Sequence, residues 1–328
     1  MEKILITPRS YGKYNGNVLE MLRSAGYQPV VNPTGRLLTK GEMMEQIRGC
    51  VGVIVGVDPL DAEVLACAPR LRAVSKYGVG VDNIDQQYCE GHQIPVTVTR
   101  GANTQAVADY AFSLLCCCAR RIVQIHESCR AHDWKKMVGL DLYGKTLGIL
   151  GFGAIGKAVA KRASGFDMQV KAYDTFWDAA YAASHGIQRS GLEEIFKLCD
   201  FISLHLPLTA DTKHIIDQDA FAKMKPSCVL INTARGELVE EQALIHALRS
   251  GRIAAAGIDV FCEEPPQNQA LYTLDNLVMG SHSAASTQDA SEQMSFMATK
   301  NLLSSLNKCK EERGGTAVRY EITESEFV

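Results

Sequence analysis

No Cys-x-x-Cys pair occurs in this 328-residue chain, although it carries eleven cysteines. The densest group, Cys116-Cys117-Cys118, is contiguous, so its side chains point in different directions. An odd cysteine count in a long chain excludes a secreted disulfide framework. The expectation is free thiols in a reducing cytosol, several of them buried, and no bound metal. Long apolar runs are also missing: the longest, Val107 to Ala119, is interrupted by Asp109 and too short to span a bilayer. No apolar h-region follows Lys3, and Lys3-Ile4-Leu5-Ile6-Thr7 reads as a first strand rather than a leader. A basic excess is absent, with 34 Lys and Arg against 37 Asp and Glu. Nucleic acid is therefore excluded as the main partner, because phosphate binding needs a basic stripe. The chain shows no solenoid-period repeat and no low-complexity tract. These absences leave a soluble cytoplasmic protein acting on a small molecule.

What is present is ordinary globular usage, 46% apolar and 22% charged, at a length that suggests about two domains. Short apolar runs alternate with helix-length patterns, the signature of βαβ units and a parallel sheet. In the first hundred residues strands are expected at 4–7, 29–31, 51–55, 71–75 and 96–98. Helical spacing covers 17–24, 40–48 and 61–66. Residues 102–130 read as one long helix with an apolar run in its first half. A second series of strands is expected at 146–150, 170–173, 201–204, 229–231, 256–260 and 277–279, followed by a helix over 291–306. Beyond Arg313 a Gly314-Gly315 step leads into a mixed, acidic tail.

Gly151-Phe152-Gly153-Ala154-Ile155-Gly156 directly follows a predicted strand and opens a predicted helix, and Asp174 ends the next strand 18 residues past Gly156. This context turns a weak glycine pattern into a dinucleotide fingerprint. Gly151 permits the tight turn, Gly153 admits a pyrophosphate close to the backbone, and Gly156 lets helix and strand pack closely. The helix N-terminus presents N–H groups to the phosphates. Asp174 is placed to accept from the adenosine ribose hydroxyls and to repel a 2′-phosphate, and Thr175-Phe176-Trp177 adds no cation. NAD is thus expected over NADP.

Ligands of an open parallel sheet bind beyond the carboxyl ends of its strands. Three such ends carry Arg235, Glu264 and His282, a set suited to hydride transfer. Imidazole is the natural group to exchange a proton with an alcohol or carbonyl oxygen near neutral pH. Glu264 beside it would fix the tautomer, and Arg235 could grip a carboxylate or a carbonyl oxygen. Asp259 could accept from the nicotinamide carboxamide. In the first lobe, Gly78-Val79-Gly80 could form an anion nest for a carboxylate, although a plain turn fits the same residues.

Taken in order, these motifs resemble the D-2-hydroxyacid dehydrogenase family, in its phosphoglycerate dehydrogenase-like branch. The resemblance covers about residues 1–310. It rests on Gly78-Val79-Gly80-Val81-Asp82-Asn83-Ile84-Asp85, the Gly151 fingerprint, and His205-Leu206-Pro207-Leu208-Thr209. Asn232-Thr233-Ala234-Arg235-Gly236, Asp259-Val260-Phe261 with Glu264-Pro265, and His282 with Ala285-Ser286-Thr287 complete it. It implies two Rossmann-like doubly wound parallel-sheet domains. A discontinuous substrate domain, residues 1–99 with 285–313, would clasp an NAD domain, residues 100–284, over a hinged cleft, leaving 314–328 as the tail. It assigns Arg235, Glu264 and His282 to catalysis and the Val79 and Gly80 N–H groups to the substrate carboxylate. It places Thr104, Ala154, Ile155, Asp174, Leu206, Pro207, Thr233, Ala234 and Asp259 with the glycines in the cofactor site. It also implies a homodimer built through the NAD domain.

The chain departs from that branch in three places. The arginine that binds substrate phosphate after the strand ending at Val55 is replaced by Gly56-Val57-Asp58-Pro59, and Lys76 stands where a second arginine is often found. The usual Thr-Pro before the histidine is Gly280-Ser281. The expected activity is an NAD-dependent dehydrogenase of a D-2-hydroxy acid, with 3-phosphoglycerate and an unphosphorylated acid of similar size both open. An NAD(H)-sensing binding protein with little turnover is the rival from another class. Formate dehydrogenase chemistry is disfavoured because its relatives place glutamine at the position of Glu264.

Overall fold

A computed structural model of the chain describes residues 1–14 and 17–312. Its chain divides into two compact units, Met1–Asn103 with the segment from Thr287, and Thr104–Ser286. The sequence reading places these divisions at 99/100 and 284/285. The tail expected over 314–328 lies outside the described residues.

The first unit runs β1 (Glu2–Ile6), α1 (Asn17–Ser24), β2 (Tyr27–Val31), α2 (Lys40–Gln46), β3 (Cys50–Val55), α3 (Ala62–Ala66), β4 (Ala73–Lys76), α4 (Gln86–Gly91) and β5 (Val96–Val98). Its five strands are parallel in the order β2-β1-β3-β4-β5. β3 and β4 lie inside the sheet with helices over both faces, so every residue in them is buried, Lys76 included. The helix starts are set locally. Thr39 and Glu42 form a reciprocal capping box on α2, and Asp61 and Asp85 cap α3 and α4.

The second unit runs α5 (Thr104–Arg120), α6 (Ile122–Arg130), β6 (Thr146–Leu150), α7 (Ala154–Ala163), β7 (Gln169–Tyr173), α8 (Ala179–Ser184) and β8 (Gln188–Arg189). It continues with α9 (Leu192–Leu198), β9 (Phe201–Leu204), α10 (Gln218–Lys223), β10 (Val229–Asn232), α11 (Glu241–Arg249), β11 (Ala255–Ile258) and β12 (Leu277–Met279). The sheet order is β12-β11-β10-β9-β6-β7-β8, all parallel, which is the doubly wound dinucleotide-binding order with one extra strand. Its switch point lies between β6 and β9. Alternate strand residues face opposite layers, as the pleat requires. Leu147, Ile149, Phe201, Val229 and Ile231 pack under α5 and α7, whereas Leu150, Ile202, Leu204 and Leu230 pack under α9 to α11.

The single helix expected over 102–130 is two. Arg121 adopts a left-handed conformation, φ 54°, and separates α5 from α6. α5 is embedded through Ala119, whereas α6 buries none of its residues, so nothing holds the two on one axis. The returning chain takes the Ala119 carbonyl through the Leu140 N–H at 2.7 Å, which satisfies one of the carbonyls left open at the end of α5. The two-residue β8 carries no apolar signal because both residues are exposed. All eleven cysteines are unpaired, and among the described residues no cluster of His, Cys, Asp or Glu is arranged to hold a metal. None of the described helices is long and apolar enough to cross a membrane.

The chain then re-enters the first unit as α12 (Gln288–Glu312), longer than the 291–306 expected. Ala298, Leu302, Leu303 and Leu306 complete the core formed by Ile4, Ile6, Val51 and Ile54. Polar contacts align the helix: Asn301 donates to the Val98 carbonyl at 3.1 Å, and the Tyr77 hydroxyl donates to the Ser291 carbonyl at 2.9 Å. Leu302 has no exposed surface. Its replacement by alanine is expected to destabilise the protein by about 3 kcal/mol. Urea unfolding checks this, and a loss below about 1 kcal/mol contradicts the packing role given to α12.

Candidate active site

The fingerprint loop turns as its residues require. Gly151 sits at φ 100°, and a Cβ there would lie 2.4 Å from the His205 carbonyl carbon; a Cβ on Gly156 would lie 2.0 Å from the Gly151 oxygen. Both approaches admit only glycine. Gly153 meets nothing within 4 Å, so that side of the loop is open to a pyrophosphate. As the N-cap of α7, Gly153 supplies no side-chain acceptor, which leaves the first-turn N–H groups of Ala154 and Ile155 for an anion.

Asp174 follows β7, and its oxygens accept from the Phe152 N–H at 2.5 Å and the Phe176 N–H at 2.8 Å. A carboxylate has about four acceptor sites, so capacity remains for ribose hydroxyls. Nearby cations are engaged elsewhere: Lys157 pairs with Asp178 at 2.6 Å, and Arg189 lies over the Trp177 ring. Across the switch point, Leu206 is buried and Pro207 exposed after β9, and Thr104 opens α5. Thr233, after β10, is buried with a hydroxyl that takes no partner among the described residues. An orphaned buried hydroxyl at the carboxyl edge of this sheet fits a polar ligand group, and together with the open glycine loop it fits a dinucleotide. His205 does not compete as a proton donor: burial pushes its imidazole down to about 3, and its Nε2 lies 2.9 Å from the Ser203 hydroxyl.

Arg235, Glu264 and His282 stand on loops after β10, β11 and β12. The Asn232 side chain shapes the first loop, donating to the Arg235 carbonyl at 2.7 Å and accepting from the Ala234 N–H at 3.0 Å. Gly236 lets that loop touch the next one, since a Cβ there would lie 2.1 Å from the Phe261 carbonyl carbon. Glu264, which precedes a cis proline, accepts from the Phe261 N–H at 3.1 Å and lies 2.8 Å from His282 Nδ1. Burial raises the Glu264 carboxyl, but the His282 hydrogen bond and charge, the Phe261 N–H and the Arg235 charge together hold it below its usual range. With Nδ1 committed to Glu264, His282 presents Nε2 for proton exchange. His282 takes φ 55°, a strained conformation for a non-glycine residue.

Asp259 holds that conformation. Its carbonyl accepts from the His282 N–H at 2.8 Å, and its two carboxylate oxygens accept from the Ser283 N–H at 2.9 Å and the Ala284 N–H at 2.8 Å. Three successive N–H groups of the His282 loop thus end on one residue with no exposed surface. Sequence reasoning assigned Asp259 to the cofactor and missed this bracing, along with Asn232 and Gly236. An Asp or Asn at a strand end, followed by a turn, is the signal that was available.

In the first unit, Gly78, φ 130°, donates to the Thr99 hydroxyl at 2.9 Å and is therefore spent. The Val79 and Gly80 N–H groups take no partner among the described residues. Lys76 is 4% exposed, and its ammonium donates to the Gly56 carbonyl at 2.5 Å and to Asn83 Oδ1 at 2.8 Å. Asp58, 1% exposed, accepts from the Leu38 N–H at 2.8 Å and from the Thr7 hydroxyl.

Comparison with known proteins agrees with the doubly wound dinucleotide-binding fold. Residues 112–284 match the model for the NAD-binding domain of D-isomer specific 2-hydroxyacid dehydrogenases. A glyoxylate reductase of Korarchaeum cryptofilum is 40% identical over 273 residues, 81% of this chain and 82% of that protein. A D-3-phosphoglycerate dehydrogenase of Methanocaldococcus jannaschii is 38% identical over 88% of this chain, but the match spans 55% of that longer protein. The crystal structure of the TT0316 protein from Thermus thermophilus superposes with a TM-score of 0.85 at 36% identity, covering 98% of this chain and 100% of that one. The doubly wound dinucleotide sheet and these matches together show that the chain belongs to the D-isomer specific 2-hydroxyacid dehydrogenases, NAD-dependent oxidoreductases of 2-hydroxy acids.

Proposed function

We propose that the protein reduces a small, unphosphorylated 2-keto acid, of the size of glyoxylate or hydroxypyruvate, to the D-2-hydroxy acid. The observation that carries this reading is the end of β3. Where phosphoglycerate dehydrogenases of the branch place a phosphate-binding arginine, this chain has a buried Asp58 carboxylate, and Lys76 spends its ammonium on Gly56 and Asn83. A dianionic phosphate at that edge meets negative charge and engaged donors. The similarity to glyoxylate reductases supports the same reading.

Bound NADH supplies the hydride for the keto carbon. Thr104, Gly151, Gly153, Ala154, Ile155, Gly156, Asp174, Leu206, Pro207, Thr233, Ala234 and Asp259 are the residues assigned to hold the cofactor. His282 donates the proton from Nε2 to the carbonyl oxygen, and Glu264 keeps Nδ1 in the matching tautomer. Arg235 orients the substrate and offsets the charge that develops on its oxygen. The Val79 and Gly80 N–H groups receive the carboxylate, in a substrate-binding unit formed by residues 1–103 with α12. Lys76 and Gly78 act one step back, as braces of that nest. Eleven free cysteines suit a reducing, cytoplasmic setting.

A homodimer built through the second unit completes the reading. Trp134 and Val138 are 88% and 90% exposed in the arm after α6, itself a helix with no buried residue. So much apolar surface in one place suits a self-complementary interface.

NADH oxidation followed at 340 nm with glyoxylate, hydroxypyruvate, phosphohydroxypyruvate, pyruvate and 2-ketoglutarate tests the substrate. The unphosphorylated two- and three-carbon acids are expected to lead, and a preference for phosphohydroxypyruvate overturns the assignment. His282→Ala and Arg235→Ala are each expected to lower kcat/KM by about 10²-fold or more. Full activity in either sinks the site assignment. Despite its burial, Glu264 is held below its usual range, so it stays ionised and paired with His282 where a free glutamate would protonate. Loss of kcat/KM in the ordinary carboxylate range contradicts that role. Light scattering of a Trp134→Asp, Val138→Asp double variant is expected to report a monomer, and an unchanged mass against a dimeric parent places the interface elsewhere.

A further inference from the structure

The loop that carries His282 begins at Gly280, one of the two positions where this chain departs from the family pattern just before the histidine. A Cβ at Gly280 would lie 2.1 Å from Asp259 Oδ1 and 2.6 Å from the Tyr110 hydroxyl oxygen. The space a side chain would need is therefore filled by two polar groups that meet there, the Tyr110 hydroxyl and the Asp259 carboxylate. Tyr110 projects from α5, which is embedded against the sheet, so the hydroxyl is presented from a fixed element. Burial and the Asp259 charge both raise the Tyr110 phenol, which keeps it protonated and a donor.

We propose that Tyr110 and Gly280 form a matched pair in which the tyrosine hydroxyl positions Asp259, and through it the His282 loop. The Asp259 carboxylate needs donors because it has no exposed surface, and burial pushes its carboxyl upward against the pull of Ser283, Ala284, His282 and Tyr110. Two of these donors are backbone N–H groups of the loop being held, so they cannot also fix the carboxylate in space. Tyr110 comes from a different element, and it anchors the carboxylate independently of the loop. Without the hydroxyl the carboxylate is free to swing, and the strained His282 backbone, φ 55°, loses its brace. Tyr110 is a positioning residue: its hydroxyl meets the Asp259 carboxylate beside Gly280, and Asp259 holds the backbone that aims the imidazole. Gly280 leaves room for the hydroxyl.

The proposal rests on His282 as the proton donor, so the experiment includes His282→Ala as a separate arm. Tyr110→Phe, Gly280→Ala and the double variant are compared in glyoxylate reduction, in NADH affinity by cofactor fluorescence, and in thermal melting. Tyr110→Phe is expected to lower kcat about tenfold, in line with losing one hydrogen bond to a charged group, with NADH affinity falling less than kcat and melting temperature little changed. Gly280→Ala is expected to cost several-fold more activity in the parent than in the Tyr110→Phe background, because the hydroxyl it collides with is then absent. A Tyr110→Phe enzyme with parental kcat overturns the proposal, as does a kcat loss matched by an equal loss of NADH affinity. Strictly multiplicative effects of the two substitutions overturn the pairing. If Gly280→Ala does not fold, the Tyr110→Phe kcat, affinity and melting data decide alone. Full activity in His282→Ala shows instead that the underlying site reading is wrong.

Discussion

Asp259 has no exposed surface, yet it carries a carboxylate, and a buried carboxylate must be surrounded by donors or it will not stay charged. Here most of the donors are the backbone of the loop that presents His282. One residue at the end of β11 thereby converts a desolvation cost into the fixed geometry of His282, Ser283 and Ala284. The Glu264 hydrogen bond orients the ring of a histidine whose backbone is already held. The backbone of His282 and the orientation of its ring are set by separate contacts, with Asp259 and with Glu264, an arrangement that needs the strands to be in register.

Close backbone approach is the second constraint. The Gly151 turn packs against the chain after β9, and the Gly236 loop packs against the loop of Glu264, at distances where any side chain would collide. These approaches gather polar groups that are far apart in the chain at the carboxyl edge of one sheet. In the first unit a comparable network serves a different end. Thr7, Leu38, Gly56, Asp58, Lys76 and Asn83 are stitched together at the strand ends, and the charges in that network are consumed inside it. Lys76, which looks like an anion receptor in the sequence, donates to Gly56 and Asn83 within that frame.

Much of this is legible in the chain alone. The fingerprint glycines, the spacing to Asp174, and the three strand ends bearing Arg235, Glu264 and His282 depend on short-range order, and local order is written in the sequence. The break at Arg121 is not legible. Helical periodicity continues through it, and what ends α5 is the loss of burial beyond Ala119 together with the returning Leu140 N–H. The two-residue β8 has no apolar pattern to read because both of its residues face solvent.

By itself the sequence determined the fold class, the glycine turn of a dinucleotide fold and the residue types that stand at the strand ends, because each follows from periodicity or from a motif a few residues long. The tertiary structure alone decided which polar groups are already spent. Lys76 and Gly78 are engaged by Gly56, Asn83 and Thr99, and Asp259 braces the His282 loop, with the Tyr110 hydroxyl brought beside it by a helix about 150 residues earlier in the chain. The reason is physical: a hydrogen-bonding group has a small, fixed capacity, and how it is used depends on neighbours in space that no local pattern names.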